Sequence, residues 1–254
     1  MYNNENLILK LRLNFLNPLV EKFIIVESKY DHQGKLKNKF FDINEFFEFK
    51  EKIIYLLIEN FPVNLSNWER ENFQRNSILE CLKDISDEDY VMISDVDEIP
   101  NIKNISQINN YKYTVFEQKN YFYKFNLMNA TLPKWYGTKM CKKKYLKTPQ
   151  WLRDQKVKKF SIFKFYKIKW NIIKNGGWHF SFLMSPEEIQ KKIKSFAHAE
   201  FNIEKFTNLK GIEDRINNKK DIFDRDQKYK IVQLDESFPD YINKNLEKLK
   251  EWVL

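Results

Sequence analysis

Residues 90–100 read YVMISDVDEIP. A short apolar run, Tyr90 to Ile93, stops abruptly at three carboxylates, Asp95, Asp97 and Glu98. An apolar run of this length, bounded by polar residues, fits a buried strand. Upstream, the pattern alternates helix and strand. Asn67 to Lys83 has amphipathic helical spacing with Ser66 or Asn67 as its cap. IIYLLI, 53–58, is a second β-type run, and Glu45 to Lys52 reads as helical. FIIVE, 23–27, is another β run after the Asn17-Pro18 break, and NLILKLRLNFL, 6–16, has helical spacing of Leu and Ile. Continuous apolar strands between helices predict an α/β fold with a parallel sheet covered by helices. Ligands of such sheets bind beyond the C-terminal ends of the strands, which is where the acidic knot lies.

After Pro100 the pattern changes. Tyr111–Val115, Tyr121–Leu127 and Phe160–Ile168 are aromatic, β-prone stretches that predict longer or antiparallel strands on one flank. NGGWHFSFL, 175–183, leads a glycine pair into a strand. Ser185-Pro186-Glu187-Glu188 opens a helix predicted to reach about Glu200. The tail, 204–254, is charged and mainly helical. With no repeat and no low-complexity linker, one domain over 1–254 is expected: a first half of about 1–100, a second from about 101, and a C-terminal helical appendix.

The chain has 254 residues, 43% of them hydrophobic, with 22 Phe, 13 Tyr and 6 Trp, so it can bury a large core and is not disordered. Cys81 and Cys141 have no Cys or His neighbour at zinc-ligand spacing, which fits a reducing compartment. No run of about 18 apolar residues predicts a membrane span, and the N-terminal stretch lacks a signal-peptide pattern. A cytoplasmic protein is expected, and the sequons at Asn64, Asn104 and Asn129 read as chance in an Asn-rich chain. From Asn101 to Pro186 there are 18 Lys or Arg against two carboxylates, Glu117 and Asp154, in a chain of net charge +9. Such a basic stretch suits an anionic ligand or an anionic membrane surface; a solvated lysine surface is the plain alternative.

In an extended segment residues i and i+2 share a side, so Asp95 and Asp97 could converge on one Mg²⁺ or Mn²⁺. The alternative is an acidic surface turn closing the strand. In WERENFQR, 68–75, Arg70 and Gln74 share a helix face and Arg75 follows. His179, beside two glycines, could complete a metal shell and would favour Mn²⁺. Two rival classes stand beside a metal-dependent transferase. A basic nucleic-acid-binding protein would use the aromatic and lysine-rich middle, but leaves the acidic knot unused. A metal-dependent phosphatase or nuclease of the Asp-nucleophile type expects its D-x-D after the first strand, whereas here it follows a third.

In order along the chain, NNENLILKLRLNFL, VEKFIIVES with HQGKLK, NWERENFQR, SDVDEIP, GGWHFSFL and KIKSFAHAEFN resemble glycosyltransferase family 17. These stretches span residues 3 to about 202. The resemblance implies a GT-A fold, a Rossmann-like mixed sheet flanked by helices. It also implies a nucleotide-sugar donor, in particular a UDP-sugar, a divalent metal and inversion at the anomeric carbon. N-acetylglucosamine or a similar sugar is the implied cargo, with a glycan or lipid-linked glycan as acceptor and no nucleic acid partner. Carried onto this chain, Asp95, Asp97 and His179 are the metal candidates. Glu27, Arg70, Gln74, Arg75 and Asp95 are the donor-side candidates. The catalytic base falls between the D-x-D and the histidine, at Asp154 or Glu117, with Glu200 as an outside candidate. Members of that family usually carry an apolar strand just ahead of the Asn-Glu segment, where this chain has Met1. The resemblance therefore implies a gap in the sheet and a gain in stability or activity from an added upstream strand.

Overall fold

A computed structural model describes residues 1–103, 111–157 and 168–254. The elements in chain order are α1 (Asn6–Leu16), β1 (Phe23–Ser28), β2 (Ile53–Ile58), α2 (Asn67–Asn76), β3 (Tyr90–Ile93) and β4 (Glu98–Pro100). There follow β5 (Tyr113–Phe116), β6 (Gln118–Phe122), β7 (Leu127–Asn129), β8 (Lys134–Trp135), β9 (Lys139–Lys142) and α3 (Pro149–Asp154). The last are β10 (Trp170–Ile173), β11 (Gly177–Ser181), α4 (Pro186–Ser195), α5 (Glu204–Thr207), α6 (Leu209–Asn217), β12 (Tyr229–Ile231) and α7 (Asp240–Lys244). Apart from residue 168, the strand expected at 160–168 lies outside the described residues.

The helix starts follow from local chemistry. Ser66 and Ser185 each close a capping box with the glutamate three residues on, Glu69 and Glu188. Each cap contributes about 1 kcal/mol by satisfying amide groups that a helix start leaves unpaired. Two expected helices are broken: α2 tightens into a 3₁₀ turn at Ser77–Leu82, and α4 stops at Ser195.

The strands form mixed sheets: β1 with β2, then β10-β5-β9-β3, then β12-β7-β6-β11-β4 with β8 on β6. β1 and β2 are parallel, as expected. β3 is not the third strand of that parallel sheet. It pairs antiparallel with β9, Tyr90 opposite Lys142 and Ile93 opposite Lys139. The parallel expectation failed because β9, fifty residues downstream, supplies the partner edge, and no local pattern around β3 encodes it. The tail is not an appendix either. β12 adds to β7, and Phe238, Ile242 and Leu249 join the main core with α1, Ile99, Trp178 and Phe180.

Four chain segments cross between the two larger sheets at one joint. β3 passes to β4 through Ser94–Asp97, and β5 to β6 through Glu117. β8 passes to β9 through Tyr136–Thr138, and β10 to β11 through Lys174–Gly176. The crossings are stitched together: Glu117 donates to Ile173 O at 2.9 Å, and Gly176 donates to Glu117 O at 2.7 Å. The acidic turn sits in this joint. Gly177, at φ +120°, is required there because a Cβ would lie 2.0 Å from Ile99 O.

Among the described residues, β1 pairs only with β2 and β3 only with β9. Their other edges border a cavity of about 460 Å³, walled by Leu13 and Leu16 of α1, Ile24, Val91, Met92 and Leu82. At its mouth Tyr2 donates to Val26 O at 2.9 Å, so the chain there already follows β1. Unfilled apolar volume and unpaired strand edges both cost stability. Adding a Val/Ile-rich hexapeptide ahead of Met1 is therefore expected to raise Tm by about 5 °C or more, whereas a Gly/Ser hexapeptide leaves it unchanged. Equal melting of the two extended chains by calorimetry refutes the assignment of this cavity as a strand slot.

Candidate functional site

The D-x-D stretch is a turn, not an extended segment: Glu98 donates its backbone N–H to Asp95 O at 3.2 Å. The two aspartates consequently meet different partners, and the expected same-side convergence of i and i+2 does not hold here.

Glu98 organises the turn. Its side chain is fully buried. Oε2 accepts from the Asp95 backbone at 3.1 Å and from Arg153 Nη1 at 2.9 Å; Oε1 accepts from Trp135 Nε1 at 2.7 Å and also from Arg153 Nη2. From α1, Arg12 holds the turn's backbone, donating to the carbonyls of Glu98 and Asp95 and to Ser94 Oγ at 3.1 Å. Burial pulls Arg12 down to about 10, with Glu98 and Asp95 acting against that.

Asp95 is committed to arginine. Arg153 Nη2 lies 2.6 Å from its Oδ2, and Arg75 Nη2 lies 3.2 Å from its Oδ1. Burial alone would lift this carboxyl, but the two guanidinium groups hold it well below the usual carboxylate range. Arg75 is itself fixed by Glu71 at 2.8 Å and by Gln150.

Asp97 differs. Among the described residues its side chain accepts no hydrogen bond. Its nearest polar partners are His179 Nε2 at 3.7 Å and Lys192 Nζ at 3.9 Å. Burial raises its pKa, and the nearby charge of Lys192 only partly offsets this. His179 stands opposite Glu98 in the β11–β4 register and opposite Asn120 on β6. Its Nδ1 donates to Asn120 Oδ1 at 2.9 Å, so in the neutral ring the lone pair sits on Nε2, on the Asp97 side. An orienting bond of that kind is typical behind a metal-ligating histidine. The 3.7 Å gap is too long for a hydrogen bond. Adjacent ligands on an octahedral divalent ion with bonds of about 2.1 Å stand about 3.0 Å apart, so the two side chains would have to close by a few tenths of an ångström to share one ion. Asp97 and His179 pair a carboxylate with an imidazole, two donor types that suit Mn²⁺. No group of three His, Cys, Asp or Glu placed to hold a metal occurs among the described residues.

The other expected residues lie elsewhere. Gln74 and Arg70 share a face, as their spacing predicts, but they fasten the 31–34 loop. Gln74 bonds His32 Nε2 at 2.9 Å and Val26 O at 3.1 Å, and Arg70 donates to His32 O at 3.2 Å. Glu27 is fully buried and takes bonds from Lys37, Tyr55 and the backbone of Phe40 and Phe41. Glu117 accepts from Tyr136 at 2.7 Å and Lys134 at 3.0 Å. Burial would raise its pKa, but these bonds bring it below the ordinary value. Asp154 is exposed and bonds Gln150 at 2.7 Å, which links it through Gln150 to Arg75. Glu200 pairs with His198 at 2.6 Å on the surface. Sequence reasoning missed Arg12, Arg153, Lys192 and Trp135. Arg153 adjoins Asp154 in QWLRDQ, but only the folded chain brings it to the acidic turn.

A family model described as glycosyltransferase family 17 matches residues 1–236 of the 254, and the chain belongs to that family. No curated protein and no solved structure matches it. Membership decides for glycosyl transfer over the nucleic-acid-binding and phosphatase readings. Among the described residues no helix is long and apolar enough to cross a membrane. Both cysteines are free thiols.

Lys139 sets up a pH test of the site's frame. It is buried and donates to Arg153 O and, at 2.7 Å, to Gln155 O, anchoring the end of α3. Burial, helped by Arg153, pulls its pKa from 10.5 to about 8. Between those values the unfolded chain binds the proton more tightly, so stability contributed by this group rises with pH from about 8 to 10.5. Below pH 8 the cost of charging it is fully present. Lys139→Met should remove this rise, so that the stability difference between parent and variant shifts toward the parent as pH increases. Parallel denaturant titrations showing a pH-independent difference would contradict the buried, charge-penalised lysine.

Proposed function

We propose that this family 17 chain is a metal-dependent, inverting glycosyltransferase of GT-A type. It would move a sugar, N-acetylglucosamine or a close analogue, from a UDP-sugar to a hydroxyl of a glycan or lipid-linked glycan. The observation that carries the reading is the acidic turn itself. Asp97 and His179 Nε2 face each other without a hydrogen bond, inside a ring of Arg12, Arg75, Arg153 and Lys192.

Asp97 and His179 would hold Mn²⁺ or Mg²⁺. When bound, the ion supplies positive charge that stabilises a departing nucleoside diphosphate. The chain's own part is electrostatic. Arg75 and Arg153 already bind a carboxylate in paired fashion, and phosphate oxygens suit the same guanidinium geometry. A diphosphate would share or replace Asp95 as their partner, lowering the energy of the charge that develops as the glycosidic bond breaks. Arg12 and Glu98 keep the turn fixed while partners change, so little reorganisation is needed. For the acceptor proton, Asp154 is the preferred base. It is exposed at the end of α3, one residue from Arg153, whereas Glu117 is occupied by Tyr136 and Lys134.

Two measurements test this. Calorimetry with Mn²⁺ and UDP should detect binding that Asp97→Ala weakens at least tenfold and that Arg153→Ala also weakens; unchanged UDP binding in Asp97→Ala removes the metal role. In a nucleotide-sugar screen, Asp154→Asn should lower kcat by about 10²-fold or more with donor affinity preserved. Near-normal turnover at saturating substrates means that Asp154 is not the base.

A further inference from the structure

Trp135 is an exposed indole held with unusual rigidity beside the acidic turn. The residue is 38% exposed. One face of its ring lies on the His179 imidazole, centroids 4.6 Å apart and planes 15° from parallel. Its Nε1 donates to the buried Glu98 at 2.7 Å. Its backbone is paired to Gln118 on β6. The following loop closes tightly on the same edge: a Cβ on Gly137 would stand 2.3 Å from the indole nitrogen and 1.9 Å from Glu98 Oε1. The ring is thus fixed by its inner face and its polar edge, and among the described residues no other ring covers it.

A flat apolar surface that is already held in place is well suited to receive a ligand. An aromatic ring has few torsions to freeze, and here they are frozen already, so little ordering cost remains for a ligand. The ring's position narrows the ligand. Behind it stands His179, whose Nε2 faces Asp97, and along its edge stands Glu98, which orders Asp95 and Arg153. A flat, uncharged ring surface next to a cationic diphosphate-type site suits a pyranose, whose axial C–H groups make one face apolar while its hydroxyls stay in water. We infer that the outer face of Trp135 is the stacking platform for the sugar ring handled by this enzyme. The inference deepens the transferase reading and rests on it. The shared chemistry is a pyranose with an apolar C–H face; it can come from the donor or from the acceptor.

Incorporating 5-fluorotryptophan and assigning the Trp135 signal with Trp135→Phe allows a direct test by fluorine NMR. The probes are UDP, UDP-N-acetylglucosamine, and the methyl glycosides of glucose and N-acetylglucosamine. The Trp135 signal is expected to move with a sugar-bearing probe and to stay in place with UDP alone. Movement with the nucleotide sugar only assigns the platform to the donor ring; movement with free glycosides assigns it to the acceptor. Trp135→Leu should weaken the responding sugar about tenfold, and Trp135→Phe, which keeps a ring, should retain most of the affinity. A silent Trp135 signal while calorimetry detects bound UDP overturns the platform and leaves the transferase reading standing. A response to glycosides with no UDP binding keeps the platform and removes the proposed nucleotide site. Silence from both overturns both.

Discussion

The carboxylate of Glu98 is the constraint on which the rest of this molecule depends. It is an acid with no exposed surface, and an uncompensated charge of that kind would unfold a marginally stable chain. Four donors from three parts of the sequence satisfy it: the Asp95 backbone, two nitrogens of Arg153, and the Trp135 indole. Removing one partner of a buried ion pair costs about 3–5 kcal/mol, mostly because the other charge is left stranded. That penalty locks α3 and β8 to the β3–β4 turn, although α3 lies outside both sheets and β8 does not pair directly with β3 or β4. The positive end of the network is protected in turn. Arg12 caps the turn's carbonyls from α1, so the first helix is tied to the same point.

This network sits where it does because the sheets change over there. Strand pairs that run across a joint must keep their hydrogen bonds while turning, and bulky residues obstruct that. Gly177 and Gly137 mark two of the crossings, each with backbone or side-chain atoms where a Cβ would go. The joint gives up regular pairing, and the backbone it frees is what lets polar side chains converge in a largely apolar molecule. The +16 segment from Asn101 to Pro186 gains a second meaning here. Among its described residues most lysines are surface, but Arg153 and Lys139 turn inward and support the joint.

Local periodicity made the first half of the fold legible. NLILKLRLNFL and IIYLLI form their elements with the expected bounds, and Ser185-Pro186-Glu187-Glu188 caps its helix as its chemistry requires. What stayed hidden was non-local. The partner of YVMI is KMCK, fifty residues away, and nothing in either stretch names the other. Tail residues such as Phe238 and Ile242 sit among charges, so their burial in the main core was invisible until the chain closed on itself. At the site, the motif residues Asp95, Asp97 and His179 do gather as their order suggested. Arg12 and Arg153 carry no pattern that separates them from other cations. Gln74 and Arg70 mislead for the opposite reason: polar residues sharing a helix face beside a motif look functional, yet their neighbour is the 31–34 loop.

The two aspartates of the motif illustrate why spacing alone underdetermines chemistry. Both are largely buried, and both began as equivalent candidates. Asp95 sits between two guanidinium groups, Arg75 and Arg153, so it stays ionised. Asp97 has less positive charge close by: burial raises its pKa, and Lys192 Nζ and His179 Nε2 both stand nearly 4 Å away. One carboxylate is thus matched by close positive charge, and the other is not. A turn, in place of an extended strand, is what separates them by environment. Had the chain run straight through residues 95–97, alternation would have aimed both carboxylates to one side and given them one set of partners. The i→i+3 bond from Glu98 to Asp95, and the buried Glu98 that makes it worthwhile, therefore decide the chemistry of the site as much as the aspartates themselves.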